Sequence, residues 1–397
     1  MMEKLTNTPK LRFPEFKGEW EKKKLGEVAE RIGDGLHGTP IYSDDSDIYF
    51  INGNNLTNGK IEINENTKKV DYSIFAKNDK GLNSNTLLVS INGTIGNISK
   101  YSNEKVMLGK SVGYFNFKEN TDFYYHNFQT DTIQDFFISE LTGSTIKNLS
   151  LKTLRNTVIS FPSLPEQARI ASFFTVLDKK IAELKQKKTL LEQYKKGVMQ
   201  KLFSQELRFK DEEGKEFPEW EEKKLGEVCE IIMGQSPSSN SYNLEEIGIP
   251  LIQGNADIQN RLSNPRNWTT EKTKECKIGD LILTVRAPVG AVAKSIHDAC
   301  LGRGVCAIRN NSKSKIEFIY QFLLDYESKW SNIEQGSTFT AVSGVEIKKL
   351  KIFIPIIAEQ TKIANFLSAI DEKINRTENQ IQKTQEWKKG LLQQMFC

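Results

Sequence analysis

Histidine, cysteine and proline are scarce in this chain, at 3, 5 and 11 of 397 residues. Three histidines exclude a histidine-rich metal centre. Cys229, Cys276, Cys300 and Cys306 lack the paired short spacing of a zinc site, so the cysteines read as reduced structural thiols. No run of eighteen apolar residues occurs, and no membrane span is expected. The first residues show no apolar stretch of the signal-peptide kind, so a cytoplasmic location is expected. Charge of one sign is also missing: 55 basic against 51 acidic residues leave a net +4. A nucleic-acid partner would need that charge focused locally, or supplied by other subunits. Catalytic signatures are absent too. There is no Gly-x-x-x-x-Gly-Lys-Ser/Thr phosphate loop, no dinucleotide fingerprint and no Asn/Asp-Pro-Pro-aromatic motif; Asn264-Pro265-Arg266 is not one. Gly33-Asp34-Gly35 and Gly302-Arg303-Gly304 are too short to count. His37, His126 and His297 have no Ser, Asp or Cys partners at a telling spacing and read as surface or packing residues. No active site is expected.

What is present is a repeat, the feature to seek before any other. The stretch from Glu19-Trp20 to Leu25-Gly26-Glu27-Val28 returns as Glu219-Trp220 to Leu225-Gly226-Glu227-Val228, at an offset of 200 (220 − 20). Glu166-Gln167-Ala168-Arg169-Ile170-Ala171 returns as Glu359-Gln360-Thr361-Lys362-Ile363-Ala364, at 193 (359 − 166). Gly53 answers to Gly254 and Leu87 to Leu281, so the first copy carries seven additional residues between those points (201 − 194). Such a length predicts two or three domains, and the duplication makes two the better count. Each half is a globular stretch followed by a long polar helix. The segments fall at residues 1–162 (first domain with an N-terminal segment), 163–206 (first helix), 207–355 (second domain) and 356–397 (second helix).

Within the first domain, residues 48–54 and 87–93 read as strands ending in Asn-Gly turns, and residues 111–117 as another strand. One helix is expected over residues 122–141. In the long helix that follows, Ile170, Phe174, Leu177, Ile181, Leu184, Leu191, Val198 and Leu202 step by four and three, with Lys188 and Lys195 in the two missing positions. The second copy gives Ile363, Leu367, Ile370, Ile374, Thr377, Ile381, Thr384, Lys388, Leu391 and Met395. A sustained heptad is a coiled-coil seam. A helix of about 38 residues is roughly 57 Å long. Neither helix is stable alone, and each is the other's obvious partner. Because the second must return, an antiparallel pair is expected. The fold class is therefore α+β: two similar mixed α/β domains separated by a long antiparallel two-helix coiled coil, in a pseudo-two-fold internal repeat.

The loops carry the chemistry of base and phosphate readers. Asn52, Asn54 and Asn55, with Gln253 and Asn255 in the other copy, are amides beside glycines, and amides bond adenine bidentately. Arg286 and Arg303 are the second domain's guanine candidates. Thr39, Tyr42, Ser144, Thr145 and Lys147 can bond phosphate or base. His37, Asn92, Thr94 and Lys110 in the first copy, and Gln235, Ser236, Tyr242, Ser337 and Thr338 in the second, complete the candidate set. Asn-Gly, however, is turn chemistry first. The lysines at 179, 180, 185, 187, 188, 195, 196 and 201 make either a solvated coiled-coil face or a DNA-backbone contact.

The order of motifs then carries a likeness. Trp-x-x-x-x-Leu-Gly-Glu-Val precedes Gly38-Thr39-Pro40 or Gly234-Gln235-Ser236-Pro237. Gly93-Thr94-Ile95-Gly96, Gly143-Ser144-Thr145 and Pro162…Glu166-Gln167…Ile170-Ala171 follow, the last repeated as Pro355…Glu359-Gln360…Ile363-Ala364. This resembles the specificity subunit of a type I restriction–modification system, over almost the whole chain. The resemblance implies two target-recognition domains, each reading half of an interrupted site in double-stranded DNA. Two methyltransferase subunits would dock on the helices, for which Glu166, Gln167, Ile170, Phe174, Leu177, Ile181, Glu359, Gln360, Ile363, Leu367, Ile370 and Ile374 are the candidates. Two restriction/translocase subunits would join for cleavage. S-adenosylmethionine, ATP and Mg would then belong to those partners, with no cofactor, metal or catalytic residue in this chain. The loops 33–40 and 234–237 differ, so the half-sites should differ. Two alternatives remain: a specificity region detached from a fused restriction-methyltransferase, and a coiled-coil scaffold that does not bind DNA. The scaffold predicts no salt-sensitive DNA affinity.

Overall fold

The computed structural model describes residues 7–141, 147–336 and 341–397. The chain forms two compact units, Met1–Lys185 with Asn379–Cys397, and Gln186–Glu378. Each unit is wired alike. In unit 1 the strand Glu21–Lys24 pairs antiparallel with Val158–Phe161, closing the globular stretch on itself. Lys351–Ile354 does the same for Glu221–Lys224 in unit 2. Pro162 and Pro355 end these pairings, because proline has no N–H to extend a ladder.

The main sheet of unit 1 runs Ala29–Asp34, Val112–Phe117, Thr86–Ser90, Ile98–Lys100. That of unit 2 runs Cys229–Met233, Val305–Asn310, Leu281–Thr284, Val292–Lys294 and continues into Leu262–Ser263 and Ile258–Gln259. Thr86–Ser90 and Leu281–Thr284 are buried throughout, which is why they read as continuous β-branched and leucine runs. A parallel pair follows in each unit: Tyr49–Ile51 beside Val106–Leu108, and Ile249–Ile252 beside Ala299–Leu301.

Three further differences separate the copies. Register slips between Ala29 and Arg31, a bulge that moves the offset from 200 at Trp20 to 199 at Gly35. The stretch between Gly53 and Leu87, longer by seven residues in the first copy, includes the helix Tyr72–Asn78. The expected helix over 122–141 is two helices, Thr121–Asn127 and Asp131–Ser139. Thr130 makes the break: its hydroxyl accepts from Ile133 N and so caps the second helix. Unit 2 has one helix here, Ile316–Gly336.

The two long helices are Leu164–Phe203 and Ile357–Met395. In unit 1 the start of the first and the end of the second share a core, where Ile170, Phe174 and Leu177 meet Leu391, Leu392, Met395 and Phe396. In unit 2 Met199 and Leu202 join Ile363, Leu367 and Ile370. Each unit therefore holds the beginning of one helix and the end of the other, an antiparallel arrangement. Among the described residues no helix is long and apolar enough to cross a membrane.

Candidate nucleic-acid interface

One end of each unit is assembled by the same set of main-chain bonds. In unit 1, Gly35 N donates to Val112 O, Leu36 N to Leu108 O, Gly109 N to Ile51 O, Ile91 N to Ser111 O and Leu149 N to Ile91 O. In unit 2, Gly234 N donates to Val305 O, Gln235 N to Leu301 O, Gly302 N to Ile252 O, Val285 N to Gly304 O and Val342 N to Val285 O. Loops distant in sequence thus converge twice on one frame. Gly35 and Gly234 permit this. A Cβ would come within 2.3 Å of Gly109 O at the first and 2.1 Å of Gly302 O at the second, distances no side chain tolerates.

The frame brings some of the sequence-named residues together. His37, Asn92 and Lys110 line one cavity of about 330 Å³ in unit 1, with Asp34, Ile91 and Leu149. His37 Nε2 lies 2.6 Å from Asp34 Oδ2. Asn92 Oδ1 is shielded and has no hydrogen-bond partner among the described residues. Lys110, Asn54, Thr39, Thr94 and Lys147 are exposed. Tyr42, 42% exposed, rests against Phe50. Asn52 and Asn55 are turned inward instead. Asn52 Oδ1 accepts from Ser111 Oγ at 2.9 Å, Asn55 Oδ1 accepts from Asn52 N at 2.9 Å, and Asn55 Nδ2 donates to Glu62 O at 2.9 Å. They build the turn, which is the other role of an amide beside glycine.

In unit 2, Gln253 Nε2 donates to Tyr242 Oη at 3.2 Å, and that hydroxyl donates to Pro237 O at 3.3 Å. Ser236 Oγ accepts from Arg303 N at 3.2 Å. Gln235, Asn255, Arg286 and Arg303 are exposed. The Arg286 backbone bridges to Ala341 as Asn92 bridges to Asn148. Among the described residues, every other arginine has a hydrogen bond or ion pair to its guanidinium; those of Arg286 and Arg303 have none. Ser144, Thr145, Ser337 and Thr338 lie outside the described residues.

The helix residues named for docking have inward roles. Glu166 and Glu359 are 1% and 0% exposed and each takes both arms of an arginine. Arg12 donates to Glu166 at 2.7 Å twice, and Arg208 to Glu359 at 3.3 and 2.9 Å. Trp220 Nε1 also donates to Glu359, at 3.1 Å. The carboxylate hydrogen bond holds Arg208 above its usual pKa. Removing one partner of such a pair costs about 3–5 kcal/mol. Gln167 and Gln360 donate to Pro162 O and Pro355 O. Ile170, Phe174, Leu177, Ile181, Ile363, Leu367 and Ile370 are buried, and Ile374 partly so. These side chains fasten helix to domain. Lysines in the apolar seam are paired: Lys195 with Asp371 at 2.7 Å, Lys388 with Asp178 at 2.6 Å, Lys188 with Glu378 at 2.5 Å. The first two pairs are one interaction made twice, since 388 − 195 and 371 − 178 are both 193. Lys179, Lys180, Lys187, Lys196 and Lys201 are exposed.

Sequence reasoning passed over Asp34, set aside as part of a short Gly-Asp-Gly. It also missed Tyr194 and Trp387, 53% and 55% exposed at matching positions (387 − 194 = 193). Their signal was an aromatic off the heptad seam. His126 is a packing residue, fully buried against Phe174. Cys229, Cys276, Cys300 and Cys306 are buried thiols, and burial pushes Cys306 up to about 12. Among the described residues no three His, Cys, Asp or Glu could hold a metal.

Two loop-bearing mixed domains with a long helix between them define an internally duplicated protein. The chain belongs to the family of the type I restriction modification DNA specificity domain, which matches residues 17–193 and 218–385. It is 35% identical over 258 residues to a Methanocaldococcus jannaschii protein assigned as the MjaX type I restriction enzyme specificity subunit, covering 63% of this chain and 60% of that one. The MjaIX specificity subunit of the same organism is 30% identical over 190 residues, covering 45% and 44%. The matches thus span about half to three-fifths of these relatives' lengths. The S subunit of a type I restriction-modification system from M. genitalium shares the fold at TM-score 0.62 and 17% identity, with 98% and 99% coverage. A chain of a solved type I R-M system does so at 0.60 and 23%, with 94% and 96% coverage.

Proposed function

We propose that this chain is the DNA sequence-specificity subunit of a type I restriction–modification complex. Each unit reads one half of a bipartite site in double-stranded DNA. The observation that carries this reading is the repeated loop frame: identical main-chain bonds present Asn92 and Lys110 at one end, and Arg286 and Arg303 at the other. One scaffold with two sets of side chains suits two different half-sites, because loops on a rigid frame carry specificity. The paired helices set the spacer between half-sites and dock two methyltransferase subunits, with Tyr194 and Trp387 as the anchors. Two restriction/translocase subunits join for cleavage. The chain itself is non-catalytic and works in the cytoplasm. S-adenosylmethionine, ATP and Mg belong to the partners.

The test is co-expression with the cognate methyltransferase subunit and genome-wide mapping of methylated adenines. A bipartite motif with an unread spacer is the expected result. An intact complex with active methyltransferase subunits that methylates nothing would favour the scaffold, as would DNA affinity insensitive to salt.

A further inference from the structure

The two reading ends share a backbone but differ in one interior position. Asp34 lies opposite Gly113, and Met233 lies opposite Cys306, in corresponding strand pairs. Met233 is therefore the second unit's counterpart of Asp34. Leu151 and Gly344 likewise correspond, each opening the short helix capped by Ser150 or Ser343. A Cβ on Gly344 would sit 2.7 Å from Met233 Cγ, so the methionine lies directly over that glycine. The flexible thioether takes up the space beside the helix start. In unit 1 the same place holds a short carboxylate beside a cavity of about 330 Å³.

The polar groups facing that cavity are rich in acceptors. Asp34 offers a carboxylate, its side chain 20% exposed. Asn92 Oδ1 is shielded and unpartnered among the described residues. His37 engages Asp34 through Nε2, so in the neutral ring Nδ1 carries the lone pair. Ile91 and Leu149 wall the pocket, and Lys110 supplies a cation at its lining. Acceptors against an apolar wall want donors, since a shielded polar atom left unpaired is costly. In the major groove the donors on base edges are exocyclic amino groups, cytosine N4 and adenine N6.

We infer that this pocket receives the exocyclic amino group of one base in the first half-site, with Asp34 as the specificity-determining acceptor. The inference rests on the DNA-recognition reading above. Met233 denies the second unit the same contact, so the asymmetry between half-sites begins inside the frame as well as at its rim.

The test uses the complex with its cognate methyltransferase subunit. Methylation mapping of the wild type defines both half-sites. Equilibrium binding then follows on duplexes with each base pair replaced in turn. Wild type should discriminate at one first-half position by roughly five- to 150-fold. Asp34→Leu, of similar shape but without an acceptor, and Asp34→Met, copying the second unit, should bring that position toward unity and leave the second half-site untouched. The preferred base pair shows whether cytosine N4 or adenine N6 is the donor, and discrimination that survives replacing that amino group by hydrogen overturns the inference. So does unchanged discrimination in Asp34→Leu, or an equal loss of affinity on every duplex with thermal unfolding unaltered. A wild type that yields no bipartite motif sinks the recognition reading itself, and the pocket with it.

Discussion

Arg286 and Arg303 stand where the first unit has Asn92 and Lys110, and their guanidiniums have no partner among the described residues. An arginine fork suits guanine O6 and N7, which a lysine ammonium meets as a point charge. Arg286→Lys and Arg303→Lys should each relax one position of the second half-site by about 1–3 kcal/mol and spare the first. Methylation mapping of the variants checks this; a uniform loss would mean phosphate contact instead. His126 gives a residue-scale prediction of another kind. Burial first, and Lys388 second, hold its imidazole well below the ordinary value of 6.5. Asp178 Oδ2 is 3.9 Å away, beyond hydrogen-bond reach. The folded chain keeps this ring neutral, while the unfolded chain protonates it as pH falls through 6.5. Below that value the unfolded state binds more protons, so stability present above it drains by at most about 1.4 kcal/mol per pH unit. In His126→Phe the fall of Tm between about pH 7 and about pH 5 should be shallower. Equal slopes for variant and wild type would refute it.

At the scale of elements, the heptads in the two long helices were legible because 3.6-residue periodicity is a local property. Their interruptions were legible only as gaps. Lys195 and Lys388, each 9% exposed, are held in the seam by aspartates of the opposite helix. Burial lowers the Lys195 pKa and its Asp371 partner opposes that. The motif Glu-Gln-x-x-Ile-Ala was conspicuous, and it was natural to give it to a partner protein. It serves the chain's own core, because a buried carboxylate must be paired. Tyr194 and Trp387 face outward, as do Val176 and Leu190, and of these the exposed aromatics make the strongest interface anchors. Tyr194→Ala and Trp387→Ala should each weaken one methyltransferase contact by about 2 kcal/mol, roughly thirtyfold, without changing Tm. Titration followed by native mass spectrometry would show one subunit lost per substitution. Two subunits retained in the double variant would dismiss these anchors.

At the scale of the whole molecule, the duplication was readable directly, since two similar stretches in one order fold into two similar units. If the helices set the spacer, four residues inserted into each lengthen it by about 6 Å, roughly two base pairs. The methylated motif of that variant should keep both half-sites and widen between them; an unchanged spacer would discard the ruler. The sequence by itself determined the two-unit plan, three of the first unit's strands and the seam, because periodicity and turn residues act over a few neighbours. Only the tertiary structure decided which polar residues face outward. Asn52 is engaged by Ser111, 59 residues on, and Asp178 by Lys388, 210 residues on. It also decided that the loop frame of unit 1 has a carboxylate, Asp34, where that of unit 2 has Met233. A hydrogen-bonding side chain takes whatever partner packing brings within about 3 Å, and that partner is set by the fold of the whole unit.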